Sequence, residues 1–163
     1  ERGKRPGTEN VPGIIGMAKA LELAVADMEQ YTGKIRQLRD KAMNLIMERI
    51  PHVKLNGPVE NRLPGNLNIS FRFIEGESLL LMLDMKGIKA SSGSACSSGS
   101  LDPSHVLMAI GLSHEIAHGS LRMSFGDHNT EGEVDYLVDS LEEIVTRLRS
   151  MSPLYEDFIK ANK

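Results

Sequence analysis

The sequence predicts an α/β chain, and three observations carry that reading. Helical periodicity runs from about Val11 to Arg49, a second helical run goes from Thr130 to about Met151, and short strand-like segments lie between them. Long helices flanking a few short strands describe a mixed layer of helix and sheet, and the strand run is too short for a doubly wound fold of its own. The 163 residues suffice for one domain with a real core.

Each element has its own signal. Residues 1–10 are polar and turn-rich and read as an ordered loop or arm. Ile14, Ile15, Ala18, Leu21, Leu23, Ala24 and Met28 fall on one side of a helix, and Ile35, Leu38, Ala42, Leu45, Ile46 and Ile50 continue it. Gly33 is the expected bend or break between two helices, and Pro51 ends the pattern by removing a donor. Val53–Leu55 reads as a short strand, and Leu67–Phe73 alternates apolar and polar residues like a half-buried one. Glu77 to Lys86 forms a short amphipathic helix capped by Gly87, and Ile88–Ala90 is expected as a strand. Asp102-Pro103-Ser104 starts a helix with a capping Asp, which stops at Gly111; Ser113–Ala117 starts another. Ser120–Phe125 alternates as a strand, and Thr130 with Glu133 forms a capping box. Leu137, Leu141, Ile144, Val145 and Leu148 then make a buried face, and Pro153–Lys163 is a short terminal helix or tail.

Composition removes several classes of function. Hydrophobic residues are 40% and charged residues 25%, with a net charge of −3, which gives no electrostatic reason to expect nucleic acid or a membrane surface as partner. No apolar run is long enough to span a bilayer, no secretory signal is present, and cytoplasmic residence fits. One cysteine excludes an intrachain disulfide and a multi-cysteine metal site. The chain opens at Glu1 without a Met and reads as a piece of a longer protein that starts mid-fold.

That cysteine, Cys96, lies in Ser91-Ser92-Gly93-Ser94-Ala95-Cys96-Ser97-Ser98-Gly99-Ser100, a run with nothing to anchor it in a core. The run is expected to be mobile over residues 91–100. Either it is a linker that happens to carry a thiol, or it is a travelling nucleophile that collects a group in one place and releases it in another. The N–H groups of the helix near Asp102 favour a thiolate, while Asp102 itself opposes it. Arg122 sits between Leu121 and Met123 in an alternating strand, either as a solvated residue or as a fork for a carboxylate. His114 and His118 are four apart, but Gly119 follows and no third ligand is near, so no metal site is expected beyond Cys96 as a transient cluster ligand. The glycines of residues 93–99 do not have dinucleotide-loop spacing, and the methionines fall mostly at core-like helix positions.

Ser91 through Gly99, Pro103-Ser104-His105-Val106-Leu107, Ala109-Ile110-Gly111-Leu112 and Ser120-Leu121-Arg122-Met123-Ser124-Phe125-Gly126 resemble the C-terminal region of cysteine desulfurases of the NifS/IscS branch. The opening Glu1-Arg2-Gly3-Lys4-Arg5-Pro6-Gly7-Thr8-Glu9-Asn10 resembles the stretch that follows the cofactor lysine in that family, so the resemblance runs from end to end. It implies the small C-terminal domain of a fold-type I pyridoxal-phosphate-dependent transferase, with residues 1–50 as the end of the large domain and a long interdomain helix, and residues 51–163 as the small domain.

The resemblance further implies conversion of L-cysteine to L-alanine with the sulfur left as a persulfide, for iron–sulfur cluster assembly or another sulfur-transfer pathway. By position, Cys96 matches the persulfide-forming cysteine, Arg122 the arginine that binds the substrate carboxylate, and Thr8 the threonine that reaches the cofactor phosphate of the neighbouring subunit in a homodimer. A sulfur acceptor such as a cluster scaffold is the implied partner. The family's cofactor lysine, its ring-stacking histidine and the aspartate for the pyridine nitrogen have no match here, so the chain alone is expected to be inactive. The alternative is a non-catalytic persulfide carrier or interaction module that uses Cys96 while a partner supplies the chemistry.

Overall fold

A computed structural model describes residues 3–4, 6–92 and 103–162. Two helices open it, α1 (Val11–Ala26) and α2 (Met28–Arg49). Strands β1 (Val53–Leu55) and β2 (Asn66–Phe71) follow, then α3 (Gly76–Met85) and the two-residue strand β3 (Ser91–Ser92). The short helices α4 (His105–Ala109) and α5 (His114–His118) lead into β4 (Ser120–Ser124), and α6 (Glu131–Ser150) and α7 (Pro153–Ala161) close the chain.

The four strands form one sheet in the order β1-β2-β4-β3, antiparallel at every pairing. The register between β2 and β4 sets Leu67 opposite Met123, Ile69 opposite Leu121, and Asn68 opposite Arg122. Side chains alternate across a strand, so one face carries Leu67, Ile69, Phe71, Leu121 and Met123, all buried, and the other carries Asn66, Asn68, Ser70, Ser120, Arg122 and Ser124. The apolar face packs under α2, α3 and α6, whose Leu38, Ala42, Ile46, Leu79, Leu83, Leu141 and Ile144 complete the core. Residues from Leu38 onward in α2 therefore share a single core with the sheet and α6.

The helix ends follow the sequence. Thr130 Oγ1 accepts from the Glu133 N–H while the Glu133 carboxylate accepts from the Thr130 N–H, closing the expected capping box. These bonds hold the Glu133 carboxyl below its ordinary range, the Thr130 backbone contributing most. At Gly87, with φ 74°, α3 ends in a left-handed cap in which Gly87 N–H and Ile88 N–H donate to Asp84 and Leu83 carbonyls. Salt bridges stitch α6 to its neighbours: Arg49 to Asp139 at 2.7 Å and to Glu142, Lys41 to Asp135 at 2.8 Å, and Lys86 to Glu143 at 2.7 Å.

Five expectations are corrected. The break in the first helical run is at Asp27, whose N–H still reaches Leu23 O at 3.3 Å, and not at Gly33, which lies inside an uninterrupted α2. Asp is a poor interior residue and a good helix starter, whereas an exposed helix accommodates one glycine. The apolar side expected for residues 14–28 covers nothing: α1 buries none of its residues. Strand pairing after α3 begins at Ser91, not Ile88, because β4 offers its partners at Leu121 and Arg122. Ser91 and Ser92, expected within the mobile run, are paired in β3, and the rest of that run, with Cys96, lies outside the described residues. The helix expected from Asp102 begins at His105 with Ser104 at the capping position, and Asp102 lies outside the described residues.

Candidate functional site

The polar face of the sheet carries one of the predicted site residues, Arg122. Arg122 stands exposed at the centre of β4, with Asn68 of β2 directly opposite on one side and Ser91 of β3 opposite on the other. Cross-strand partners project from the same face, so Asn68, Arg122 and Ser91 form a polar strip across three strands. Asn68 is held in place: its Oδ1 accepts from Asn56 Nδ2 at 2.7 Å, and the same Asn56 amide donates to Ser70 Oγ at 2.9 Å. The far end of this face is closed, with Ser70 and Ser120 fully buried and α5 packed against β2.

Gly119 makes the closure possible. A Cβ there would lie 2.1 Å from the Phe71 carbonyl oxygen, so only glycine lets the chain pass from α5 into β4 at this separation. The Gly119 carbonyl then accepts from Phe71 N–H at 2.8 Å, which fixes the start of β4 and with it the position of Arg122 two residues further on.

The cysteine run leaves the sheet beside this arginine. Ser92 ends β3 one residue after the partner of Arg122, and Cys96 follows four residues later in the chain. Cys96 itself lies outside the described residues.

Thr8 is exposed and lies three residues before α1. His114 and His118 face each other on α5 with ring centroids 4.6 Å apart. Among the described residues no group of three or more His, Cys, Asp or Glu side chains converges to hold a metal ion. No helix among them is long and apolar enough to cross a membrane. Asn68 and Ser91 were not singled out from the sequence. Their signal is the strand register, which alternation alone does not fix when the paired strands are far apart in the chain.

Comparison with known proteins places the chain in a family. The family model described as Aminotransferase class-V matches residues 2–137. A cysteine desulfurase IscS of Clostridium botulinum (strain Hall) is 56% identical over 98% of this chain, and one from Dictyoglomus turgidum is 50% identical over all of it. In each case the chain spans 41% of the relative's length. Among solved structures, a NifS-like protein superposes with a TM-score of 0.76 at 37% identity, covering 90% of this chain and 36% of that one. The Escherichia coli cysteine desulfurase CsdA, in its S-sulfonic acid form, gives 0.68 at 25% identity over 88% of this chain and 33% of its own. The chain belongs to the aminotransferase class-V family, among relatives that are cysteine desulfurases.

Proposed function

We propose that this chain is the part of a pyridoxal-phosphate-dependent cysteine desulfurase that carries the sulfur-accepting thiol, Cys96, and the substrate-carboxylate arginine, Arg122. The observation that carries the reading is the register of Ser91 against Arg122, which starts the cysteine run beside the guanidinium. L-cysteine spans only a few ångström from carboxylate to sulfur. A substrate forked onto Arg122 therefore holds its sulfur within the range of a thiol tethered four residues from β3. The sulfur of L-cysteine ends as the outer sulfur of a Cys96 persulfide, and the carbon skeleton leaves as L-alanine.

The two residues divide the work by their settings. Arg122 is on a strand clamped between two others, so the carboxylate it binds is oriented rather than merely attracted. Cys96 is on a run of small residues, which suits a thiol that enters a site and later leaves to deliver its cargo to an acceptor protein. Thr8, on the arm ahead of α1, serves the cofactor phosphate of a second subunit in a homodimer, and the exposed apolar residues of α1 support such an intersubunit or interdomain contact. A cytoplasmic setting and an iron–sulfur or related sulfur acceptor belong to the same proposal.

Lys19, Lys34, Lys41, Lys86 and Lys160 are engaged by carboxylate or carbonyl oxygens, which does not suit the cofactor's needs. Condensation with an aldehyde requires a neutral amine, and Lys41 and Lys86 are instead pushed up by hydrogen-bonded carboxylates, Asp135 and Glu143 respectively. Lys34 donates to the Asp127 carbonyl, and Lys19 and Lys160 are paired with Glu22 and Glu156. We derive no step through the cofactor from these residues, and its anchoring lysine is assigned to the longer protein.

Adding pyridoxal phosphate and L-cysteine to the isolated chain should give neither the absorbance band of a lysine-bound cofactor nor alanine and sulfide. The protein at its relatives' length should produce both, and Cys96→Ala in it should abolish sulfur release while leaving the cofactor band. Sulfide production by the 163-residue chain, or undiminished release by Cys96→Ala, overturns the proposal.

A further inference from the structure

Beside α2 and the turn that follows β1 lies an open cavity of about 580 Å³ with three arginines, Arg36, Arg39 and Arg62, in its wall. Arg39 is 4% exposed, yet its Nε and Nη1 have no hydrogen-bond acceptor. Asp40 Oδ1 lies 2.6 Å from Arg39 Nε but off the N–H direction, so it balances charge without accepting the bond. Arg62 is similar: Nη2 donates to the Asn56 carbonyl at 3.0 Å, while Nε and Nη1 are buried without acceptors. Arg39 Nη1 and Arg62 Nε and Nη1 are thus withdrawn from water with neither a hydrogen bond nor an ion pair, and Arg39 Nε has an ion pair alone, an arrangement that native interiors rarely tolerate without a ligand or ordered water.

The charges around the cavity define what is missing. Three guanidinium groups face two carboxylates, Asp40 and Glu60, which leaves one positive charge over. Burial pulls the Arg62 pKa down, Arg39 adds to the effect and Asp40 opposes it, so the two arginines are close enough to repel. One bound carboxylate neutralises the excess and offers two planar oxygens to the two forks. A tetrahedral anion fits less well, because the site lies along the middle of α2 with no helix N-terminus in its wall, and Met43 and Val59 give it apolar flanks suited to an alkyl carboxylate.

We infer that Arg39 and Arg62 form a carboxylate-binding site on the α2 side of the domain, distinct from Arg122 and independent of the desulfurase reading. The carboxylate is either free or borne by a protein segment outside this chain.

Acetate titrated at constant ionic strength into the labelled 163-residue protein should shift the Nε–Hε resonances of Arg39 and Arg62 along a saturating curve. Phosphate should act more weakly and chloride not at all. Arg62→Lys keeps the charge and removes the fork, and should weaken acetate binding about tenfold, while Arg36→Ala at the rim should have the smaller effect. A response to acetate no different from chloride overturns the site, as does an unchanged curve in Arg62→Lys. A crystal structure of the protein at its relatives' length, grown with acetate, separates the two sources. An acidic side chain on both guanidiniums assigns the carboxylate to the protein, acetate there assigns it to solution, and water alone overturns the proposal.

Discussion

Arg122 shows what can be read from a single residue and what needs its neighbours. Its place in an alternating strand was legible from Leu121 and Met123, but a solvated arginine and a carboxylate fork look alike at that level. The structure adds Asn68 and Ser91 on either flank, which nothing in the sequence ties to Arg122, because cross-strand register is set by long-range packing. In the enzyme of full relative length, Arg122→Lys should lower kcat/KM for L-cysteine about tenfold or more, since a lost charge-assisted fork is worth roughly 1.5–3 kcal/mol. Cofactor retention and folding should be nearly unchanged, and wild-type efficiency in that variant would reduce Arg122 to a solvated strand residue. Gly119 offers a stability counterpart. Gly119→Ala places a methyl 2.1 Å from the Phe71 carbonyl, and backbone rather than a flexible side chain must give way. Urea unfolding should report a loss of about 3 kcal/mol, and a loss below about 1 kcal/mol would mean that the α5–β4 passage relaxes freely.

At the scale of elements, most helices and strands were written in local chemistry, and the misplaced boundaries lie where tertiary contacts decide. The capping box of α6 is local, and Thr130→Ala should cost about 1 kcal/mol in thermal or urea unfolding, with no change in the sheet. The strand after α3 is non-local: Ile88–Ala90 has the better composition, yet pairing falls on Ser91–Ser92 because that is where β4 runs alongside. The seat of α7 is equally non-local. His52, at φ 56°, presents its ring to Phe158 at 5.0 Å and Phe73 at 5.9 Å, while its carbonyl accepts from buried Arg149 at 3.2 Å. Burial first, then Arg149 and Arg72, hold the His52 pKa below its ordinary 6.5. A histidine depressed in the folded state contributes stability that is complete above pH 6.5 and fades as pH falls through the lower folded value. Wild type should therefore lose stability between pH 7.5 and 5.5 relative to His52→Asn, which keeps a residue tolerant of positive φ and removes the titration. Parallel pH curves for the two proteins would show that His52 carries no part of this dependence.

The whole molecule divides into a part that packs and an opening helix, α1, that buries none of its residues. From Leu38 to Leu148 most buried apolar side chains converge on one core under the sheet, with Leu107, Leu112 and Ala117 in a small cluster of their own, whereas Val11, Ile14, Ile15, Leu21, Leu23 and Val25 of α1 are half exposed or more, the least being Ile14 at 50%. Their spacing was legible as a helix in the sequence. What covers them was not, since periodicity reports that a face will be buried and not against what. Left to itself, α1 has only local support: Asn10 caps it by accepting from Gly13 N–H at 3.1 Å, but it is 16 residues long and contains Gly13 and Gly16. An isolated helix of that length with two glycines is marginal in water. Hydrogen exchange on the 163-residue chain should therefore show α1 amides exchanging near the unprotected rate, while those of Leu137, Leu141 and Ile144 in α6 exchange only through global unfolding. In the protein of full relative length α1 should gain protection approaching that of α6, because the proposed intersubunit or interdomain surface then covers its apolar side. Equal protection of α1 and α6 in a monomeric 163-residue chain would mean that the exposed side is not an interface in waiting. Persistent fast exchange at full length would remove α1 from the subunit contact altogether.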